Sequence, residues 1–355
     1  MILKDLLRVL GSADRRDGRN LTKQEAFQAF SSILEGGESE IRVASFLTAL
    51  RWKGVGVEEL TGFAMAARQM ANLPCVGMSG LVCVCPPMDG YDEVPPLELA
   101  SSLMAAAAGV RVLMLTDRGI PPRRGLTAAS ALEALGAGVF WDPVKAEDCV
   151  GELGFAALSL TSVLPALLGL RRIRGDMGER TPLSTVEKLI LPPTASVVIG
   201  TQAGPVLGIA VETMSNLGHP SGIALQGLRG GTTPTVRRRT RGIELSGHHQ
   251  TPLTVDPLDF GLQGPSDPEL PMFGPPEEGR GSGDNPALRR AAGEMVRDVL
   301  DGHGGPARDA SVLGAAVLLK ACGRVMTLAE GVDTAITSLD SKAPRDLLDK
   351  FVGWS

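Results

Sequence analysis

The chain has 355 residues, of which 43% are hydrophobic and only 4% aromatic, and carries a formal net charge of −5. This is length enough for two domains and composition enough for a large core built from Ala, Leu and Val, which excludes a chain disordered throughout and one basic all over. No stretch has the length of a transmembrane helix without a charge, Gly or Pro break, and Met1–Leu7 reads as an amphipathic helix rather than a signal-peptide core, so a soluble cytoplasmic protein without membrane association is expected.

Residues 1–72 read as helices only. Leu3, Leu6, Leu7 and Leu10 recur at helical spacing. Thr22 and Glu25 form a capping box that opens a helix through Phe27, Phe30 and Leu34, stopped at Gly36-Gly37. A third helix begins near Ser39 with Val43, Phe46, Leu47 and Leu50 on one side, and a fourth carries Leu60, Phe63 and Met70. Such short amphipathic helices have more apolar face than they can hide among themselves, so the unit is expected to pack on an α/β domain or on a second copy.

The α/β domain, 73–355, is organised around residues 81–140. Leu81–Cys85 reads as a buried strand, followed by a turn at Pro86, Pro87, Asp89 and Gly90 and a small-residue helix from Leu97 to Gly109. Val110–Leu115 is a second strand, and the basic loop 116–125 leads to a helix opening at Leu126-Thr127. Strand, helix, strand at this spacing makes a parallel pair, and ligands of such sheets bind beyond the carboxyl ends of the strands. Both loops, 86–96 and 116–125, leave at that end. Cys83 and Cys85 alternate along one strand; with Cys75, Cys149 and Cys322 they read as free thiols rather than a disulfide or metal framework.

Farther along, 138–141, 155–160, 195–200 and 222–227 read as strands and 206–217 as a helix. Charges and Gly breaks in 164–188 place helices at the domain junction, packing on the helical domain. Arg237, Arg238, Arg239 and Arg241 are the densest positive charge; as a strand they would present charge on both faces, so a solvated edge strand and a binding role weigh equally. The Pro/Gly-rich, acidic stretch 261–286 reads as a loop, and the tail is helical again. His219, His248, His249 and His303 show no metal spacing.

In the order of these segments the chain resembles anthranilate phosphoribosyltransferase and its relatives. The stretches that carry the resemblance are Leu21-Thr22 with Glu25-Ala26, Phe46–Gly54, Ala105–Val112, Leu132–Gly136, Arg174 with Met177–Thr181, Gly304–Asp309 and Leu328–Val332. The resemblance implies a small helical domain, a larger α/β domain with a mostly parallel central sheet flanked by helices, and a homodimer formed through the helical domain. It also implies that Arg174 matches the arginine thought to hold the anthranilate carboxylate.

The family's chemistry carries over less well. Its Gly-Thr-Gly-Gly-Asp-Gly loop, whose backbone N–H groups approach a pyrophosphate, corresponds here to Cys85–Gly90, where two prolines remove donors and only Asp89-Gly90 remains. Its Asn-x-Ser-Thr falls on Pro96, Glu98 and Leu99, its Lys-His-Gly-Asn-Arg on Met114–Arg118, and its magnesium-holding Asp-Glu pair near Thr232 and Thr233. Neutral threonines do not replace two carboxylates for a hard dication, so magnesium is not expected as a cofactor and no metal site is assigned. The reading is a protein of this class that has lost magnesium–phosphoribosyl pyrophosphate chemistry. It would instead bind a phosphate-bearing ligand, with nucleic acid among the candidates, through arginines in the cleft between the domains. The expected site residues are Asp89, Gly90, Arg118, Arg123, Arg124, Arg171, Arg174 and Arg180. The alternative is an active glycosyl- or phosphoribosyltransferase with a changed substrate, relying on Arg118 and Arg174 for charge stabilisation. A divergent branch of the family binds nucleic acid along a basic groove, and the Pro-rich loop, Arg118 and Met177-Gly178 resemble it.

Overall fold

The structure, a computed structural model, describes residues 2–11, 18–271 and 280–354. Four helices come first: α1 (Ile2–Leu10), α2 (Lys23–Leu34), α3 (Glu40–Lys53) and α4 (Val57–Met70). The Thr22–Glu25 box is formed, with the Glu25 N–H donating to Thr22 Oγ1 (3.2 Å) and the Thr22 N–H donating back to Glu25 Oε2 (2.9 Å). The apolar faces meet at Phe63, whose ring packs on Phe30 at 5.4 Å and edge-on to Phe46 at 6.2 Å between centroids. Gly62 makes this approach possible: a Cβ there would overlap the Lys23 carbonyl oxygen and lie 2.8 Å from Ala26 Cβ.

The α/β part follows in the order β1 (Leu81–Cys85), α5 (Glu98–Ala107), β2 (Arg111–Leu115), α6 (Ala128–Ala134), α7 (Pro143–Leu153), β3 (Phe155–Leu158) and α8 (Leu160–Val163). Next come α9 (Leu167–Met177), α10 (Leu183–Val186), β4 (Ser196–Gly200), α11 (Val206–Asn216), β5 (Ser221–Leu225), β6 (Thr240–Ser246) and β7 (His249–Val255). Helices α12 (Pro286–Leu300), α13 (Pro306–Ala321), α14 (Leu328–Asp340) and α15 (Ala343–Trp354) close the described chain. The strands form one seven-stranded sheet, ordered β3-β2-β1-β4-β5-β6-β7. The strands from β3 to β5 in that order are parallel, and β6 and β7 add an antiparallel hairpin. Every residue of β1 and β4 is buried, as a continuous apolar run in a parallel sheet requires. Helices α5 and α13 pack together over the sheet, while α11 lies against β5 and touches α4, joining the two units. Segment 164–188 contacts the helical unit, α9 against α3 and α10 against α4.

Three local readings change. Gly138–Trp141 is not a strand: Phe140 makes a single parallel bridge to Leu158, and the N-cap Asp142 starts α7 directly after it. Arg237–Arg239 precede β6 rather than forming an edge strand, and only Arg241 lies within β6, which has β7 outside it. The stretch 261–286 falls partly outside the described residues; within them Ser282–Asp284 forms a turn of 3₁₀ helix and Pro286 already begins α12. Among the described residues no helix is long and apolar enough to cross a membrane.

The close α2–α4 approach predicts that Gly62→Ala lowers stability by about 1–3 kcal/mol, because the atoms it meets are largely backbone. Gly151→Ala, in α7 with open space around it, should instead raise stability by roughly 0.5–1 kcal/mol through helix propensity. Urea unfolding of both variants reads the two signs.

Candidate functional site

The strand order reverses direction between β2-β1 and β4-β5, and the loops after β1 and β4 diverge there, which is where open α/β sheets place their ligands. A cavity of about 210 Å³ lies at this point, lined by Pro87–Asp89 after β1, Ile199–Gln202 at the end of β4, and Arg174, Arg180, Thr181 and Lys188 from the helical segment. The two loops singled out in the sequence do meet here. The Tyr91 and Leu126 backbones exchange N–H···O bonds of 2.8 and 2.7 Å, and the Gly125 N–H donates to Asp89 O at 2.8 Å. Gly90 sits at φ +74° with no room for a Cβ, which would come within 2.5 Å of Gly125 and Leu126 backbone atoms. Gly90 is therefore fixed by loop contact.

The arginines divide into three groups. Arg118 leaves the cavity altogether and forms a two-pronged pair with Glu133 of α6, at 2.5 and 2.7 Å. Arg123 donates to the Gly90 carbonyl oxygen (2.6 Å) and pairs with Asp92, and Arg124 is exposed at φ 53°. None of these three lines the cavity. The sequence places them in the right loop, but Glu133, fifteen positions on, is what turns Arg118 away. Arg171 is buried between two carboxylates, with Nη1 on Asp117 Oδ2 (2.7 Å) and Nε on Glu187 Oε1 (2.8 Å). Its guanidinium is held above its ordinary pKa: burial would lower it, and Glu187 and Asp117 outweigh that. Glu187, buried, lies below the usual carboxylate range because Arg174 and Arg171 outweigh its burial.

Only Arg174 and Arg180 face the cavity. Arg180 forms a two-pronged ion pair with Asp89, Nε to Oδ2 at 2.5 Å, so both of these expected ligands are occupied with each other. Arg174, with its side chain 1% exposed, gives Nη1 to Glu187 (3.0 Å) and to Ser184 (3.3 Å). Its Nε and Nη2, and the nearby Thr181 Oγ1, are buried without a hydrogen-bond partner. An unmet buried donor costs about 1–3 kcal/mol, and a carboxylate or similar anion would satisfy those of this guanidinium.

Three groups at the site were not among those expected from the sequence. Tyr91 and Glu98 are buried beside each other, with Tyr91 Oη donating to Glu98 Oε2 at 3.4 Å. The tyrosine fills the space under the loop at Gly230-Gly231; a Cβ on Gly231 would overlap its hydroxyl. Burial pushes the Glu98 carboxyl up to about 7 despite a hydrogen bond from its own backbone N–H and one from Tyr91, and Oε1 has no partner. Burial and then the neighbouring Glu98 hold the Tyr91 phenol well above its ordinary value. The signal was present: Glu98 is a lone charge in an otherwise small and apolar helix. Lys188 is the third, half-buried, donating to the Gly200 carbonyl oxygen at 2.7 Å; burial and then Arg180 bring its amine down to about 8.

Arg237, Arg238, Arg239 and Arg241, with Arg229, line a second, open hollow of about 970 Å³ that shares Thr201, Gln202 and Gly230 with the inner cavity. Arg239 pairs with Asp256 and Arg229 with Glu93. Arg237, Arg238 and Arg241 have no carboxylate partner among the described residues. Thr232 and Thr233 are buried, and among the described residues no group of three or more His, Cys, Asp or Glu side chains is gathered as a metal site.

Comparison with known proteins matches both units of the chain. Residues 13–71 match the glycosyl transferase family helical bundle domain, and residues 92–343 match the glycosyl transferase family a/b domain. The chain is 30% identical over 340 residues to the anthranilate phosphoribosyltransferase of Anaeromyxobacter sp. (strain K), covering 95% of both chains. It is 27% identical over 337 residues to that of Acetivibrio thermocellus, covering 95% of this chain and 93% of the relative. Among solved structures, anthranilate phosphoribosyltransferase from Thermus thermophilus superposes with a TM-score of 0.80 at 25% identity, covering 99% of this chain and 98% of that one. The Saccharomyces cerevisiae enzyme in complex with PRPP and Mg shares the fold, with a TM-score of 0.78 at 15% identity over 99% of this chain and 97% of that one.

The buried Glu98 makes stability depend on pH. The unfolded chain releases this proton near 4.5 and the folded chain near 7, so in that window the folded state binds more protons and stability falls as pH rises. The loss is on the order of 3 kcal/mol across the window. Glu98→Gln should flatten it and leave the variant more stable than the parent at pH 8; urea unfolding from pH 4 to 8 reads the slope.

Proposed function

Since the chain belongs to the glycosyl transferase family and has the anthranilate phosphoribosyltransferase fold, we propose that it keeps this scaffold without the magnesium–phosphoribosyl pyrophosphate reaction and binds an anionic ligand at Arg174. The observation that carries this reading is the Tyr91–Glu98 pair. The positive end of α5 would be the place for a phosphate, and it already faces the carboxyl of its own first residue. The tyrosine ring fills the adjoining space up to Gly231. Pro86 and Pro87 take two backbone donors out of the preceding turn, and Thr232 and Thr233 offer only neutral hydroxyls where a hard dication needs carboxylates. Magnesium therefore does not fit the donors present. What remains is a small cavity with two unmet guanidinium nitrogens and an unmet hydroxyl.

A second reading is supported by the outer hollow. Its unpaired Arg237, Arg238 and Arg241, continuous with the inner cavity, suit a polyanion such as single-stranded nucleic acid, although Glu93, Asp256, Asp267 and Glu269 line the same hollow and oppose it.

Calorimetric titration of the purified protein separates these readings. Phosphoribosyl pyrophosphate should give no binding heat with or without magnesium, whereas benzoate should bind and Arg174→Gln should abolish that binding. Magnesium-dependent binding of phosphoribosyl pyrophosphate in the micromolar range would mean the transferase reaction persists with another acceptor. Single-stranded DNA titrated across a salt series tests the outer hollow, where binding through arginines must weaken steeply as salt rises.

A further inference from the structure

Lys188 has a position that the anion site does not require. It sits on the 3₁₀ turn Glu187–Leu189, and its amine reaches the end of β4 at the wall of the inner cavity. The carboxylates around it are committed elsewhere: Glu187 to Arg171 and Arg174, and Asp89 to Arg180. Among the described residues its one hydrogen-bond partner is the Gly200 carbonyl oxygen, and no carboxylate pairs with it. Burial and then the Arg180 guanidinium disfavour the ammonium ion, against a smaller opposing pull from Asp89 and Glu187. On the same cavity wall stand Arg174, with Nε and Nη2 unmet, and the unmet Thr181 hydroxyl.

We propose that Lys188 is an amine nucleophile that captures a small 2-oxo acid as an imine, with the acid's carboxylate on Arg174. This rests on the reading above that the inner cavity takes an anion at Arg174. The neutral amine adds to the carbonyl carbon, forming the C–N bond while the carbonyl π electrons move to oxygen, which takes up a proton as nitrogen loses one. The carbinolamine hydroxyl then takes up a proton and leaves as water while the nitrogen lone pair closes the C=N bond, and the nitrogen gives up its second proton in exchange. No oxidant, reductant or metal enters the step. The depressed amine pKa, about 8, keeps a substantial neutral fraction near neutrality. The carboxylate supplies what a simple aldehyde lacks, an anchor that holds the carbonyl against the amine.

The test is reductive trapping on the intact protein. Glyoxylate and sodium cyanoborohydride are added at pH 7, and carboxymethylated lysines are located by peptide mass mapping. Lys188 should be labelled about tenfold or more faster than the exposed Lys4, Lys23 and Lys145. Benzoate should slow labelling at Lys188 alone, and propionaldehyde, which has no carboxylate, should show no such preference. Lys188→Arg, which keeps a donor for Gly200, should lose the fast label. Labelling of Lys188 no faster than of Lys145, or labelling indifferent to benzoate, would overturn the proposal. If benzoate binds by calorimetry while Lys188 stays unlabelled, the imine fails and the anion site stands; if benzoate does not bind and Lys188 stays unlabelled, both fail.

Discussion

The buried chain Asp117–Arg171–Glu187–Arg174 is the constraint on which the site depends. Two carboxylates and two guanidiniums alternate across the junction between the sheet and the helical segment, each contact between 2.7 and 3.0 Å. Taking such charges out of water is costly, and the arrangement persists only because each has a partner. Ser159 completes it by donating to the other oxygen of Asp117. The result is geometric. Asp117 hangs from the end of β2, Glu187 from the turn before β4, and α9 is clamped between them, so Arg174 is presented to the cavity in one pose. Its Nε and Nη2 are unmet, as is Nη2 of Arg171.

Around that anchor, the space beyond the end of β1 is filled by buried side chains. Here Tyr91 occupies the room, Glu98 faces the helix end, and the close backbone pairing of Asp89–Tyr91 with Gly125–Leu126 holds both in place. The cavity left beside them is walled by Arg174 and Thr181, with Lys188 next to these two.

Much of the scaffold was legible because local signals coincided. Thr22 with Glu25, and the hydroxyl of Thr127, named helix starts that the structure contains. The apolar runs at Leu81–Cys85 and Val110–Leu115, the second broken only by the exposed Arg111, read as buried strands, and their spacing set the parallel pair and the end at which the candidate site lies. The hairpin partner β7 was not legible: His249, Gln250, Thr251 and Pro252 face solvent at a sheet edge, so no apolar alternation marks them. The site was legible in place but not in membership. Whether an arginine meets a ligand or a carboxylate depends on contacts far apart in sequence, as Arg180 with Asp89 and Arg118 with Glu133 demonstrate. Glu98 was within reach, since it is a charge set in an apolar run; Lys188, next to Glu187, carries no such mark.

Two ion pairs that tie segment 164–188 to the loops after β2 and β1 differ in how water reaches them. Asp117–Arg171 is sealed, whereas Arg180 keeps nearly a third of its side chain in solvent opposite Asp89. Dissolved ions screen the second far more than the first. The inner pair thus acts as a pivot and the outer pair as a clasp over the aperture. Rising ionic strength weakens the outer pair first, while the floor of the cavity keeps its shape and segment 179–181 stays tied to α3 through Arg51, which meets Glu179 and the Arg180 carbonyl oxygen.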